Sequence, residues 1–238
     1  MVFKILMNWW APRNAEKILR YVTLGECQVA LLKNPLIIAL DVNTLEEAES
    51  LADRLSPYAG GFKVGMQLYN SVGPEVVRRL CQKNVPVFVD LKLHDIPNTV
   101  AGAVSVLTRH GAAILNVHAA GGMDMMRAAV KAAHGEAARA AIVPPLVVAV
   151  TILTSISQDV FNLEIGFTGS IWERAAKWAV LAKEAGLDGV VASPLEIAPI
   201  RKACGEDFVI ITPGVRPAGA AIDDQKRTMT PGEAVRQG

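Results

Sequence analysis

The 238-residue sequence predicts an α/β protein built as a TIM-type (β/α)8 barrel, with the expected eighth strand lacking at the C-terminus. Three observations carry this expectation. From Pro35 onward, short apolar runs alternate with segments of helical period, the pattern of right-handed βαβ units around a parallel sheet. Charged and hydroxyl residues then gather at the carboxyl ends of those runs, which is where a parallel barrel builds its site. Finally, the turn after the first run, Asp41-Val42-Asn43-Thr44, contains no glycine, so the phosphate fingerprint of an open doubly wound sheet is absent.

Taken in order, the predicted strands are 36–42, 61–65, 86–93, 113–118, 146–152, 189–193 and 208–212. Predicted helices lie at 44–55, 71–83, 97–110, 122–138, 171–185 and 194–203, with a further helix start at Thr230-Pro231-Gly232-Glu233. Thr44 is placed to cap a helix whose first turn holds Glu46 and Glu47, and Gly186 and Gly205 stand where helices should stop. Residues 1–34 are set apart as an N-terminal extension, with 14–33 as one or two helices across the barrel base or a frayed segment. Residues 35–238 form the barrel domain, C-terminally incomplete. With seven strands, the first and last would lack a shared neighbour and leave two open edges, the expectation for a fragment of a longer chain.

Apolar residues make up 51% of the chain and charged residues 20%, which suits a packed domain of this length. Lys and Arg number 24 against 23 Asp and Glu, so no basic excess points to nucleic acid and any anionic ligand must be recognised locally. Cys27, Cys81 and Cys204 are far apart and fit no metal-ligand spacing. No apolar stretch approaches the ~20 residues that span a bilayer, and no signal-peptide cleavage site follows the short N-terminal apolar run. The expected location is cytoplasmic.

The densest chemistry lies in 87–95, Val-Phe-Val-Asp-Leu-Lys-Leu-His-Asp. Strand alternation puts Val87, Val89, Leu91 and Leu93 on one face and Phe88, Asp90, Lys92 and His94 on the other. Burying a carboxylate and an ammonium is costly unless they are paired or used. The ordinary reading of Asp-x-Lys is a salt-bridged strand end, but the other strand ends change the balance. They supply Asp41, Lys63, His118, Thr151, Thr154 and, after the last strand, Arg216. One rim is thereby equipped for an anionic, hydroxyl-bearing small molecule.

Asp90-Leu91-Lys92-Leu93-His94-Asp95-Ile96-Pro97-Asn98-Thr99 closely resembles the signature of the orotidine 5′-monophosphate decarboxylase family. Ile38-Ala39-Leu40-Asp41, Phe62-Lys63-Val64-Gly65, Thr151-Ile152-Leu153-Thr154-Ser155 and Ile211-Thr212-Pro213-Gly214-Val215-Arg216-Pro217 match it in order and spacing, as does Asp224-Gln225-Lys226-Arg227. The resemblance covers 36–238. It implies decarboxylation of orotidine 5′-phosphate to uridine 5′-phosphate, the last step of pyrimidine nucleotide synthesis, without metal or organic cofactor. By the same resemblance, Lys92 is the cation facing the carbanion and then its proton donor, held by Asp90, while Lys63 joins the charge network. Asp41 and Lys63 would meet the ribose hydroxyls, Thr154 the pyrimidine, and Arg216 and Gln225 the phosphate. Asp95 and Thr99 would complete a partner's site in a homodimer.

The family's eighth strand ends in a Gly-Arg pair that adds to its phosphate site, and this sequence carries neither. Two alternatives stand beside the main reading: a Mg²⁺-using sugar-phosphate decarboxylase or aldolase of the same superfamily, against which Asp-Ile-Pro-Asn-Thr argues, and an inactive shortened chain. His94 and His118 are read as packing or hydrogen-bonded residues, Gly121-Gly122 as a loop turn, and the methionines of 123–126 as helix packing. His110, His134 and the cysteines receive no role.

Overall fold

The computed structural model describes residues 5–8, 34–215 and 229–237. Among them, eight strands close into a barrel: β1 (Ile5–Asn8), β2 (Leu36–Ala39), β3 (Gly61–Gly65), β4 (Val87–Leu93), β5 (Ile114–His118), β6 (Leu146–Val150), β7 (Gly189–Val191) and β8 (Val209–Val215). From β2 to β8 each strand is parallel to the next, and each sits within a predicted apolar run or extends it by a few residues. β2 and β6 end sooner than expected, whereas β8 runs on to Val215.

The expectation of an open seam is corrected. β1, which lies in the segment set apart as an extension, pairs antiparallel with β2 (Ile5 opposite Ile38, Met7 opposite Leu36). On its other edge it pairs antiparallel with β8 (Met7 opposite Thr212, Asn8 opposite Ile211), with a register shift between Ile5 and Met7. The N–H and C=O rows of β2 and β8 therefore face a strand. The segment 14–33, expected to be helical or frayed, lies outside the described residues.

Period-2 alternation sorts the barrel side chains into two layers. Ile37, Phe88, Ile114, Val148, Val191 and Ile211 fill the interior. Their sequence neighbours Ile38, Val87, Val89, Leu115, Val147 and Ile210 face outward into the larger core beneath the helices. Those helices are α1 (Leu45–Leu55), α2 (Met66–Val72), α3 (Glu75–Gln82), α4 (Pro97–Arg109), α5 (Gly122–Ala140), α6 (Ile171–Glu184), α7 (Ile197–Cys204) and α8 (Pro231–Gln237). Thr44 caps α1 as expected, its hydroxyl accepting the Glu47 N–H at 3.2 Å. Gly205 ends α7 at φ 84°, a conformation that costs glycine little. Met125 and Met126 pack in the core.

Two helical features depart from the sequence reading. α2 was not expected: it buries one residue, Leu68, so its apolar stripe is too sparse to show a period. The predicted 194–203 helix divides into a 3₁₀ turn, Pro194–Glu196, and α7. Ser193 and Glu196 form a capping box there, with the Ser193 N–H donating to Glu196 Oε2 at 3.0 Å. That box fixes the chain leaving β7.

Deleting residues 1–8 should uncover the edges of β2 and β8. At roughly 2–4 °C per kcal/mol for a domain of this size, a loss of about 2–3 kcal/mol lowers Tm by about 5–10 °C. Light scattering on the deletion variant should show association through the exposed edges. An unchanged Tm and a clean monomer-to-oligomer profile identical to the parent would contradict the closure described above.

Candidate functional site

A cavity of about 440 Å³ opens at the carboxyl ends of the parallel strands. Its deep wall is apolar, from Val150, Ile152 and Val191, and one side is charged, from Asp41, Lys63, Asp90 and Lys92. Pro213 and Gly214 at the end of β8 face it as well. This volume lies in the range of small-molecule sites, and an apolar cleft with a few convergent polar groups is their usual form.

The charges alternate along a chain of contacts. Lys63 Nζ lies 3.5 Å from Asp41 Oδ1 and 3.5 Å from Asp90 Oδ2. Lys92 Nζ donates to Asp90 Oδ1 at 2.6 Å. Lys63 is set at mid-strand between the outward-facing Phe62 and Val64, so the alternation of β3 aims it inward. Asp41 follows the end of β2, next to the seam closed by β1. The side chains of Lys63 and Asp90 are 9% and 13% exposed, so neither charge could be held without its partners. Burial by itself would raise the Asp90 carboxyl. The Lys63 and Lys92 ammoniums, with hydrogen bonds from Lys92 and Asn116, outweigh it and leave Asp90 below the usual carboxylate range.

Asp90 and Lys92 share the cavity as strand alternation predicts, but the backbone that brings them there is not a regular strand. β4 and β5 are in register at Val89 opposite Leu115 and again at Leu93 opposite Val117. Four steps along β4 thus match two along β5, and the excess is a bulge at Asp90-Leu91-Lys92. Within it Lys92 has φ 52°, a left-handed conformation that costs a non-glycine residue about 1–3 kcal/mol. Such outliers persist only where their surroundings over-determine them.

Asn116 is the residue missed at the sequence level. It is 1% exposed in the middle of β5 and faces the bulge. Lys92 N–H donates to Asn116 Oδ1 at 2.7 Å, and Asn116 Nδ2 donates to Asp90 Oδ1 at 2.7 Å. The available signal was a lone amide side chain in the apolar run 113–118, in phase with the inward-facing Ile114 and the rim residue His118. Gln67, at the start of α2, also lines the cavity and donates to Asn43 Oδ1 at 2.8 Å.

The remaining candidates divide into three groups. Thr154 is buried at the cavity wall beside Leu153 and Ser155, while Thr151 lies beneath, its hydroxyl donating to the Val191 carbonyl at 3.2 Å. Asp95 and Thr99, in contrast, are exposed and do not line the cavity of this chain. Asp95 Oδ1 accepts the N–H of Ile96 at 2.6 Å, where the chain turns into α4. Arg216 and Gln225 lie outside the described residues. The two histidines stack on each other, His94 and His118, with ring centroids 5.2 Å apart and Trp178 edge-on to His118. His118 Nδ1 accepts the Ala120 N–H, and burial, helped by His94 and Lys92, brings its pKa down to about 4. It is neutral at pH 7. Among the described residues no cluster of three or more His, Cys, Asp or Glu is arranged to hold a metal ion, and no helix is long and apolar enough to cross a membrane.

Comparison with known proteins agrees with this geometry. Residues 34–238 match the profile of the orotidine 5′-phosphate decarboxylase / HUMPS family. An orotidine 5′-phosphate decarboxylase from Moorella thermoacetica is 54% identical over 206 residues, covering 87% of this chain and 82% of that protein. One from Heliobacterium modesticaldum is 52% identical, covering 87% and 85%. The crystal structure of orotidine 5′-phosphate decarboxylase from Lactobacillus acidophilus superposes with a TM-score of 0.76 at 36% identity, over 86% of this chain and 87% of that one. With a profile match over residues 34–238, which hold all seven parallel strands, and relatives above 50% identity, the chain belongs to the orotidine 5′-phosphate decarboxylase / HUMPS family.

Proposed function

We propose that this chain removes CO₂ from orotidine 5′-phosphate to give uridine 5′-phosphate, with Lys92 as the group that meets the reacting carbon. The observation that carries the reading is the alternating row Asp41–Lys63–Asp90–Lys92 on the cavity wall, ending in an ammonium that faces the cavity. Breaking the ring-carbon to carboxylate bond releases CO₂ and leaves the electron pair on that carbon. A fixed ammonium stabilises this charge as it develops, because its orientation is set before the reaction begins. Lys92 Nζ then gives one of its protons to the carbon, leaving a neutral amine that takes a proton from solvent.

Asp90 keeps the Lys92 amine charged and aimed, and Lys63 offsets the second carboxylate oxygen. Asp41 and Lys63 stand at the rim, suited to sugar hydroxyls, and Thr154 is placed to contact the base. Arg216 and Gln225 are assigned to the phosphate on the strength of the motif that contains them; a guanidinium fork binds two phosphate oxygens together.

The homodimer belongs to the same proposal. Asp95 and Thr99 are exposed and do not line their own cavity, and between them Ile96 is 67% exposed. An apolar side chain flanked by site-type polar residues fits a two-fold contact in which each chain finishes the other's site. A cytoplasmic setting is proposed from the scattered thiols.

The test of the reading is turnover of orotidine 5′-phosphate by the purified chain, followed as loss of substrate absorbance with CO₂ release. Activity should persist in EDTA; its disappearance there would favour the metal-using relatives. Lys92→Ala should lower kcat by at least about 10⁴-fold, the combined scale of a lost electrostatic contact and a lost proton donor, with the circular dichroism unchanged. Retention of more than a hundredth of the activity would remove Lys92 from its role. Arg216→Ala should raise KM and lower kcat/KM by about 10–100-fold, the worth of a charge-assisted phosphate contact. Parent-like constants would show that the phosphate is held elsewhere.

A further inference from the structure

We propose that Asn116 is a positioning residue of the decarboxylation site, its side-chain amide clamping the β4 bulge so that Asp90 and Lys92 are held in one fixed relative geometry. The inference rests on the decarboxylase reading above. It concerns a residue that touches neither the cavity nor the reacting atoms.

Three observations converge on it. The first is the register: between Val89–Leu115 and Leu93–Val117, β4 has two residues more than β5, so the ladder bond that would hold Lys92 N–H has no backbone counterpart in β5. Asn116 Oδ1 accepts that N–H at 2.7 Å. The second is conformation, because Lys92 sits at φ 52° and this amide-to-side-chain bond is the contact that stabilises it there. The third is the other end of the same side chain. Asn116 Nδ2 donates at 2.7 Å to Asp90 Oδ1, the oxygen that also accepts from Lys92 Nζ at 2.6 Å. One planar amide thus grips the backbone of the cation and the side chain of its carboxylate partner. Its orientation is not ambiguous: an N–H on one side and a carboxylate on the other admit only the oxygen toward Lys92 and the nitrogen toward Asp90.

An asparagine buried in mid-strand is ordinarily a satisfied polar residue whose loss costs stability. Here both hydrogen bonds end on the two groups that do the chemistry, so its removal has consequences a purely structural amide would not. Without it the bulge can relax toward a regular ladder, which swings Lys92 Nζ, and Asp90 loses a donor that favours its charged form. A displacement of about 1 Å in such a group is worth about 10²-fold in rate. The charged groups that face Asp90 are Lys63 from β3 and Lys92 from its own strand, with Asp41 across Lys63. His118, at the end of β5, titrates near pH 4 and is already neutral above that.

The experiment compares the parent chain with Asn116→Ala and Asn116→Asp, measuring kcat and KM separately across pH on orotidine 5′-phosphate. Asn116→Ala should lower kcat by about 10–100-fold with KM within about threefold, and should move the acid limb of the profile to higher pH. Asn116→Asp keeps the shape and the acceptor for Lys92 N–H but sets a second carboxylate against Asp90. The pair then shares a proton, and the acid limb should rise further than in the alanine variant. An acid limb at the parent position in a folded variant, or a loss carried by KM, would overturn the proposal. So would failure of both variants to fold, since that marks a structural amide. An inactive parent chain, by contrast, would refute the decarboxylase reading itself.

Discussion

Asp90 is a carboxylate held between two ammonium groups with its side chain 13% exposed, and the rest of the site follows from that placement. Taking any one of these charges out of water is costly, and the alternation of sign along Asp41, Lys63, Asp90 and Lys92 offsets the cost at every step. The same alternation decides which member is available for chemistry. Lys63 is enclosed by two carboxylates and 9% exposed, whereas Lys92 has Asp90 on one side and the open cavity on the other, at 28%. A cation that is oriented yet reachable is what stabilisation of a developing carbanion requires.

Holding such a row calls for strands rather than loops, and the barrel supplies them in a particular way. The interior belt of Ile37, Phe88, Ile114, Val148, Val191 and Ile211 makes an apolar floor, Lys63 and Asn116 enter the barrel at mid-strand, and the other polar residues of the cavity stand toward the strand ends. Gly189 permits β7 to lie hard against β8: a Cβ there would meet the Val209 carbonyl oxygen at 2.2 Å. On the other edge of β8, the seam between β2 and β8 is occupied by β1. Both seam strands lead into the site, β2 to Asp41 and β8 to Pro213 and Gly214. Whatever lies between them therefore sets how far Asp41 stands from Pro213 and Gly214 across the cavity, so closing the seam shapes the site as well as covering two strand edges.

The seven parallel strands were legible because each is a short, largely apolar run bounded by turn residues, which sequence reading handles well. β1 was not, for a physical reason. Ile5-Leu6-Met7-Asn8 is a four-residue segment whose partners lie about thirty and two hundred positions away, and nothing local announces such a pairing. The charged row was legible as residue types at strand ends, and Asp90 with Lys92 was correctly placed on one face. The means differed: simple alternation supplied the face, while the bulge and the left-handed Lys92 supply the geometry. Asn116 escaped notice since its role depends on a register offset between neighbouring strands, which a single sequence does not display.

The electrostatics of the site also shape its response to acid. Burial, helped by the neighbouring His94 and Lys92, opposes a proton on His118, so it titrates near pH 4 in place of its usual 6.5. An unfolded chain takes up that proton below about 6.5 and the folded chain does not, so acidification through this interval favours unfolding. Asp90 acts in the same direction at lower pH: its folded carboxyl is depressed, and the stability its pairing contributes is lost as pH falls through the carboxylate range. The causes differ: burial leads for His118, whereas for Asp90 the Lys63 and Lys92 ammoniums outweigh burial. The ammonium groups that keep Asp90 ionised therefore also make part of the folded site's stability depend on a charge that acid removes.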